Sequence, residues 1–355
     1  MKILIDFQHP ADVHIFRNAV AHLRRKGHSV KITGRDKDIL AKLAEEYELE
    51  VEIFGRARAG LFHLGCELLY RWWRLLGIVR DYKPDRILAV AGTCVSLIGF
   101  LTGTPTHVFY DTEHATLSNM LAYPFATCVH VPRCYRKPIR WRHRRYSGYH
   151  ELAYLHPEYF TPDSTVLKAV GLGEGETFSV VRFVGWGAAH DIGRHGFSEE
   201  GRIEAVKRLN KFGPVFISCE GPLPEGLEQY RLDLPVSRIH DLMAFASLMF
   251  GESATMCSEA AVLGVPGVFV DPLGRGYTDE QEELYGLVSN FTPEQEQAAI
   301  ERGTEILRDY DAGRWQTRRD ELLSDMIDVT KMIERVALGQ EPDLERVLPY
   351  EMSLS

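Results

Sequence analysis

The chain has 355 residues, a length that favours two domains over one. Apolar residues make up 45% and charged residues 26%, as in soluble globular proteins, and the net charge of −9 argues against a general nucleic-acid-binding protein. Asp6 interrupts the first apolar run, so we expect no signal peptide. The six cysteines form no CxxC pair, and we expect reduced thiols in a cytoplasmic protein without a metal site.

Strand and helix patterns alternate through the first 125 residues. Periodicity and turn residues predict strands at 2–6, 28–33, 50–54, 85–90 and 106–110, and helices at 13–26, 36–47, 61–80, 95–102 and 117–125. This alternation predicts a parallel sheet with helices on both faces. The pattern then lapses until a proline-rich segment at 156–163, which is typical of an interdomain linker.

A second alternating series follows the linker. It predicts strands at 177–184, 215–218, 248–251 and 267–270, helices at 199–211, 241–246 and 259–263, and further helices to about residue 337. We therefore predict an N-terminal domain at 1–160, a C-terminal domain at 161–340 and a loose tail at 341–355. Two doubly wound domains would enclose a cleft, with ligands at the carboxyl ends of the strands.

The strongest candidate site is the segment Gly251–Pro266, which leads from a strand into a helix expected to open near Ser258. Free backbone N–H groups at that helix start would suit a phosphate, and Glu259 could accept hydrogen bonds from both hydroxyls of a ribose. The simpler alternative is a helix that Ser258 caps, with Glu259 placed favourably for the helix dipole. Local physics alone does not separate the two interpretations.

This segment resembles the donor-binding motif of GT-B glycosyltransferases, in which a Glu followed by small residues, Leu-Gly and Pro binds the ribose. Residues 240–246 resemble the helix that precedes this motif and lies near the base, and residues 276–281 resemble the loop in which a Gln meets the donor sugar. The resemblance implies a GT-B-like α/β fold of two Rossmann-like domains that binds a nucleotide-sugar donor, expected to be UDP-linked. The residues that it implicates are Thr255, Met256, Ser258, Glu259, His240 and Gln281.

The loop from Asp6 to His14 resembles the glycine-rich loop, ending in His, of the bacterial transferase that adds N-acetylglucosamine to lipid-linked muramyl precursors. Here His9-Pro-Ala replaces the glycines. Residues 91–105, 108–114 and 117–126 follow the order of further segments of that enzyme. The resemblance implies a functional role for His14; the alternative is a histidine that merely lies near a helix start.

An acidic and imidazole cluster follows the predicted strand at 106–110. Asp111, Glu113 and His114 could supply a general base for an acceptor hydroxyl, and groups this close tune one another's pKa. The alternative is a hydrogen-bonded capping turn. Residues 111–116, 148–157, 182–186 and 255–264 also resemble an uncharacterised group of predicted glycosyltransferases that is common in archaea.

The first strand of the second half ends in Arg182, Gly185 and Trp186, where a guanidinium or the backbone could contact a diphosphate. The alternative is a solvated loop. Glu220, at another strand end, could contact the nucleotide base.

Two segments suggest contact with a membrane or a lipid-linked acceptor. An apolar stripe runs along residues 61–80 with Arg71, Arg74 and Arg80 beside it, and residues 133–145 hold seven Lys or Arg. The alternatives are core packing for the helix and a solvated basic loop. Peripheral attachment would lie on the inner face of the membrane.

Three functions are compatible with these features. The first is metal-independent transfer of a sugar from a nucleoside-diphosphate sugar to a hydroxyl, as the GT-B resemblance implies. The second is a non-hydrolysing nucleotide-sugar 2-epimerase, which the chain resembles at Glu113. Two further acids of those epimerases are replaced by Gly92-Thr93 and Leu117–Met120. The third is a GT-B protein that binds a sugar nucleotide or glycan without turnover.

Overall fold

The computed structural model describes residues 1–37, 39–56, 60–184, 196–219 and 221–340. These residues form two compact α/β units. Among the described residues, unit 1 comprises those of Met1–Tyr159 and those from Met326 to residue 340, and unit 2 comprises those of Phe160–Asp325. The first division falls beside the boundary that we predicted at residue 160.

Unit 1 is built on a parallel sheet with the strand order β3-β2-β1-β4-β5-β6-β7. The strands are β1 Lys2–Phe7, β2 Ser29–Asp36, β3 Glu52–Arg56, β4 Arg86–Val90, β5 Thr106–Phe109, β6 Cys128–Pro132 and β7 His143–Tyr146. The helices that precede the linker are α1 Pro10–Arg25, α2 Leu40–Glu46, α3 Leu61–Tyr82, α4 Val95–Thr102, α5 Thr116–Ala122 and α6 Leu152–Leu155. The strand order reverses between β1 and β4, where ligands of doubly wound sheets bind.

Unit 2 contains a parallel sheet with the order β12-β11-β10-β8-β9. Its strands are β8 Ser179–Phe183, β9 Val215–Cys219, β10 Leu248–Gly251, β11 Gly267–Val270 and β12 Val288–Phe291. Its helices are α7 Thr165–Ala169, α8 Glu199–Leu209, α9 Ile239–Ala244, α10 Ala254–Leu263, α11 Gly276–Glu283, α12 Glu296–Arg308 and α13 Ala312–Asp325. Here the strand order reverses between β8 and β10. We therefore expect a ligand to bind beside the loops that follow these two strands.

The last helix, α14 (Val329–Ala337), lies in unit 1, whereas we predicted the chain to residue 340 in the C-terminal domain. Asp328 caps it, and its apolar face packs against α1 and β4. Thr330 adds a hydrogen bond of 2.6 Å to the carbonyl of Ala153. The sequence displays an amphipathic helix, but its periodicity does not say which unit covers the apolar face.

Two strands of unit 1 occupy the region where the sequence pattern lapsed. β6 is short and wholly buried, and β7 (His-Arg-Arg-Tyr) lies at the edge of the sheet. Charged side chains are common on edge strands, because they oppose pairing with other chains. The basic segment 133–145 is therefore partly a strand and not only a solvated loop.

Candidate functional site

A buried ion pair organises the carboxyl end of β1. Asp6 Oδ1 lies 2.7 Å from a terminal nitrogen of Arg71, and neither side chain is accessible to solvent beyond 1%. Arg71 also donates to the carbonyls of Gly34 (3.1 Å) and Phe54 (2.6 Å), and Thr33 donates to Asp6 (2.7 Å). These bonds satisfy the buried charges and so offset the desolvation penalty of burying the pair. We had expected Arg71 to belong to a basic surface on α3. It is instead buried and joins β1, β2 and β3 to that helix.

Gln8 connects this ion pair to the start of α4. Its amide nitrogen donates to Asp6 (3.2 Å), and its amide oxygen accepts from the hydroxyl of Thr93 (2.8 Å). Beside it lies a cavity of about 380 Å³. Its wall is mainly apolar, with lining residues that include Leu64, Leu68, Cys94, Leu117 and Leu121. The polar lining residues are Gln8, Arg35, Glu67, Arg71, Thr93 and Ser118.

The loop before α1 closes on its own backbone. Asp12 accepts from the N–H groups of Gln8 (2.7 Å) and His9 (3.2 Å), and the His9 ring accepts from the N–H of Ala11 (3.2 Å). Burial raises the pKa of Asp12 to about 7, against the opposing effect of these two backbone hydrogen bonds. N–H groups that would face a phosphate in a glycine-rich loop are therefore engaged within the protein.

His14 lies one turn inside α1 and not on the loop. Its ring is buried between Tyr47 and Tyr154, with ring centroids 5.5 and 5.2 Å away. The two tyrosines fix the position of the imidazole ring. The functional role of His14 stays a prediction.

Asp111, after β5, forms a pair with His150, after β7. Its Oδ2 lies 3.1 Å from His150 Nδ1, and the hydroxyl of Thr112 donates to its other oxygen (2.9 Å). Burial lowers the pKa of His150, but the Asp111 carboxylate, with Glu151 and Asp12, more than offsets this effect, so the pKa is raised overall. A carboxylate at Nδ1 fixes the ring so that Nε2 can exchange the proton.

His150 is the site residue that our sequence reasoning missed. The signal was present, since the segment 148–157 carried part of the family resemblance. However, no periodic element surrounded His150 in the sequence, and only β6 and β7 bring it beside Asp111.

The other two members of the predicted acidic cluster lie apart from this pair. Glu113 is 3% exposed, and its carboxylate accepts from the backbone N–H of Arg136 (3.2 Å). His114 is exposed on the same turn. Adjacency in sequence therefore did not identify the partner of Asp111, because the turn points its side chains in different directions.

In unit 2 the helix α10 begins at Ala254, five residues before the helix that we predicted at 259–263. Ser253 is its N-cap and accepts from the N–H of Met256 (3.3 Å), so Thr255 and Met256 lie in the first turn. Ser258 and Glu259 lie in the second turn and are buried. The alternative in which Ser258 caps the helix is wrong, because Ser253 is the N-cap and Ser258 lies inside the helix.

His240 and Glu259 form the second imidazole–carboxylate pair. His240 Nε2, on α9, lies 2.8 Å from Glu259 Oε1, on α10, and both residues are buried. The rings of Phe160 and His240 are nearly perpendicular, with centroids 6.4 Å apart. Two residues that the GT-B resemblance implicated in nucleotide binding are thus in direct contact.

Gln281 also contacts a predicted site residue. The segment 276–281 is part of helix α11 and not a loop, and Gln281 Nε2 donates to Ser258 Oγ at 2.8 Å. Both side chains are fully buried, so this bond holds α11 against α10.

Glu252, directly after β10, is a further residue that the sequence did not single out. Its two carboxylate oxygens accept from the N–H groups of Val184 and Phe197, both at 2.7 Å, and Arg202 lies 3.2 Å away. Arg182 is half-buried and donates to Ser218 Oγ (3.0 Å). The predicted ligands Gly185, Trp186 and Glu220 lie outside the described residues.

The described residues were also inspected for membrane spans and metal ligands. In that part of the chain, no helix combines the length and apolarity that crossing a membrane requires. The same residues include no group of three or more His, Cys, Asp or Glu side chains arranged to hold a metal ion.

A family model for a protein of unknown function (DUF354) matches residues 1–279. The chain belongs to this family. A relative, the uncharacterized protein MJ0665 of Methanocaldococcus jannaschii, is 23% identical over 291 residues, which cover 77% of this chain and 82% of that protein. Membership in an uncharacterised family with an archaeal relative agrees with the narrower resemblance in the sequence.

Solved structures of two enzyme classes are similar to this chain. One is UDP-GlcNAc 2-epimerase from Neisseria meningitidis bound to UDP-GlcNAc, with 13% identity and a TM-score of 0.70 over 96% of this chain and 100% of that one. Another is the spinosyn rhamnosyltransferase SpnG complexed with thymidine diphosphate, with 14% identity and a TM-score of 0.63 over 95% and 100%. A third is the glycosyltransferase SsfS6 of Streptomyces sp. SF2575, with 15% identity and a TM-score of 0.57 over 94% and 99%. The predicted fold, two parallel-sheet α/β domains of the GT-B type, is confirmed.

Proposed function

We propose that this protein is a glycosyltransferase that moves a sugar from a UDP-linked donor to an acceptor hydroxyl. The observation that carries the proposal is the Asp111–His150 pair at the carboxyl end of the unit 1 sheet, at 3.1 Å. An imidazole that a carboxylate orients is a suitable general base for a hydroxyl. The raised pKa of His150 makes its neutral form a stronger proton acceptor.

Donor binding is assigned to unit 2 in this proposal. The first turn of α10, with Thr255 and Met256, would face the diphosphate, whose charge the helix dipole stabilises as it leaves. Glu259 would accept from the ribose hydroxyls, and its bond to His240 holds the carboxylate in place. As the GT-B resemblance implies, the proposed reaction uses no metal ion or further cofactor.

The surroundings of the donor residues refine these roles. Arg182 remains a candidate diphosphate ligand because β8 adjoins β10. The fully buried bond between Gln281 and Ser258 supports a role in holding α11 on α10 more directly than a sugar contact.

A lipid-linked acceptor is the substrate class that the surface of unit 1 suits best. The cavity beside Gln8 is mainly apolar, and neighbouring side chains on α3 and α5 are well exposed, including Leu69 (63%), Trp73 (67%), Leu117 (60%) and Met120 (67%). Arg74, Arg80 and the exposed arginines of 133–145 could contact anionic headgroups. We include peripheral contact with the inner membrane face, through 61–80 and 133–145, in the proposal.

Epimerisation is the second candidate, because solved structures similar to this chain include UDP-GlcNAc 2-epimerases. Glu113 would be its catalytic carboxylate, as the resemblance to those epimerases implies. The carboxylate of Glu113 already accepts a hydrogen bond from the backbone N–H of Arg136. The resemblance also implies that those epimerases carry an Asp where this chain has Gly92-Thr93, and here the hydroxyl of Thr93 donates to Gln8. Sugar-nucleotide binding without turnover is the third candidate.

One experiment separates the three. The protein is incubated with a panel of nucleotide sugars, with and without a lipid extract, and the products are analysed by liquid chromatography with mass spectrometry, because sugar epimers have equal mass. Transfer predicts free nucleoside diphosphate only when acceptor is present, whereas epimerisation predicts a new sugar isomer with the diphosphate linkage intact. Saturable binding with neither product would contradict both enzymatic proposals.

A further inference from the structure

A second cavity of unit 1, of about 170 Å³, lies at the amino ends of β4 to β7. This edge of the sheet is opposite to the edge formed by the carboxyl ends of the strands, where Gln8 and Asp111 lie. The end of α14 forms one wall. Much of the remaining wall consists of basic side chains on β4, β5, β6 and β7 or directly before β7. They are Arg86, His107, His130, Arg142 and Arg144.

The two histidines of this cavity have defined tautomers. Arg86 Nη1 lies 2.8 Å from His107 Nε2, and because a guanidinium can only donate, this imidazole nitrogen accepts. The proton of His107 is therefore on Nδ1, which donates to His130 Nε2 at 3.1 Å. Both rings are thus neutral, and they stack at 5.4 Å.

The environment keeps both rings neutral. Burial, with Arg86 and Arg144 adding to it, lowers the pKa of His107 to about 4. Burial, with His107 and Arg144 adding to it, lowers the pKa of His130 to about 3. The nearby arginines, which add to this effect of burial, also create a positive potential that attracts an anion.

The charged side chains among the described lining residues are all basic. Among the described residues that line the cavity there is no Asp or Glu. Three guanidinium groups converge on a small volume, although the whole chain carries a net charge of −9. A guanidinium presents paired donors that match the oxygens of phosphate.

Gly339 holds one of these guanidiniums in place. It ends α14 with a φ of +75°, and a Cβ at this position would lie 2.4 Å from Arg86 Nη2. The absence of a side chain therefore lets the backbone after α14 pack directly against the Arg86 guanidinium. The cavity is a built feature that joins the last helix of unit 1 to its sheet.

We propose that this cavity binds a small oxyanion of the phosphate class, held by Arg86, Arg142 and Arg144. Its volume of about 170 Å³ is below that of pockets for larger ligands, which begin at about 300 Å³, so a whole nucleotide sugar is excluded. The ligand is either inorganic phosphate or the phosphate group of a small monoester. Binding would tie α14 to the strands and stabilise unit 1.

The test uses the full-length protein with ¹⁵N-labelled histidine. Imidazole resonances of His107 and His130, assigned with the H107Q and H130Q variants, are followed while sodium phosphate or glycerol phosphate replaces sodium chloride at constant ionic strength. Saturable shifts and a higher melting temperature in phosphate are expected. Tighter binding of glycerol phosphate would identify an esterified phosphate as the ligand, and tighter binding of inorganic phosphate would identify the free anion.

A pair of arginine variants separates a site from general charge. Arg142 lines the cavity and is exposed, so Arg142→Gln should fold and should weaken phosphate binding at least about tenfold, because one charge-assisted contact is lost. Arg140→Gln removes an equally exposed charge that does not line the cavity and should bind as the parent does. Shifts that chloride reproduces, or equal affinities of the parent and R142Q, would overturn the proposal.

Discussion

Unit 1 and unit 2 each contain a buried imidazole–carboxylate pair. The two pairs differ in which imidazole nitrogen contacts the carboxylate. In unit 1 the carboxylate of Asp111 holds His150 by Nδ1, and the described residues offer no hydrogen-bond partner to Nε2. In unit 2, His240 uses Nε2 itself to hold Glu259. In the first pair the carboxylate orients an imidazole whose Nε2 is buried, and in the second the imidazole positions a carboxylate.

The elements explain this difference. Asp111 and His150 follow strands whose carboxyl ends converge, so the pair lies at the edge where a doubly wound sheet binds ligands. His240 and Glu259 project from two packed helices, which fix the pair on both sides. Similar chemistry therefore predicts proton transfer in unit 1 and ligand positioning in unit 2.

The largest effect is expected for His150→Gln. If His150 is the base, transfer should fall by a factor of about 10² to 10⁴ while the affinity for donor is retained, since the donor residues are in unit 2. Release of nucleoside diphosphate measures the rate, and calorimetry with UDP measures binding. His143→Gln, at an exposed histidine of β7, is the matched control. A variant at His150 with more than half of the parent rate would remove His150 from the chemistry.

Asp12, which lies near His150, provides a test by pH. Its pKa is raised to about 7, so the folded state binds this proton more tightly than the unfolded state. That stabilisation is complete below the unfolded pKa of about 4 and is lost as pH rises through about 7, up to about 4 kcal/mol in total. Asp12→Asn should flatten this part of the profile. Urea denaturation at pH 5 and pH 8 measures it; an unchanged difference in unfolding free energy between the two pH values would contradict the assignment.

For unit 2, Glu259→Ala should weaken UDP binding by about 10- to 100-fold, the effect of losing hydrogen bonds to a charged group. Isothermal titration calorimetry with UDP measures this loss. Glu283→Gln, at an exposed position near the end of α11, serves as the control. Unchanged affinity in the Glu259 variant would mean that the pair with His240 only stabilises helix packing.

The sequence predicted most strands and helices of both units, because their apolar periods and turn residues are strong. It failed where the signal was not local. β7 carries the charges of an edge strand, and α14 shows an apolar face without naming the unit that covers it. The start of α10 was misplaced, because Ser253 and Ser258 are both chemically suited to cap a helix.

The candidate site was predictable to a similar degree. Resemblance brought His240, Glu259, Ser258 and Gln281 forward, and the structure shows them in two direct contacts. It did not show that Gln281 would be wholly buried. His150 was missed because its partnership with Asp111 depends on the register of three strands, which no local pattern encodes.

The smallest effect distinguishes two roles for Gln281. If its bond to Ser258 only joins α11 to α10, a double-mutant cycle of Ser258→Ala and Gln281→Ala should give a coupling free energy of about 1 kcal/mol in urea denaturation. The KM for donor should then change equally for donors with different sugars. A change in KM that depends on the sugar, with little coupling, would instead place Gln281 against the sugar. Either result sharpens the contrast between the units, because it decides whether Gln281 holds the helices of unit 2 together or contacts the donor sugar.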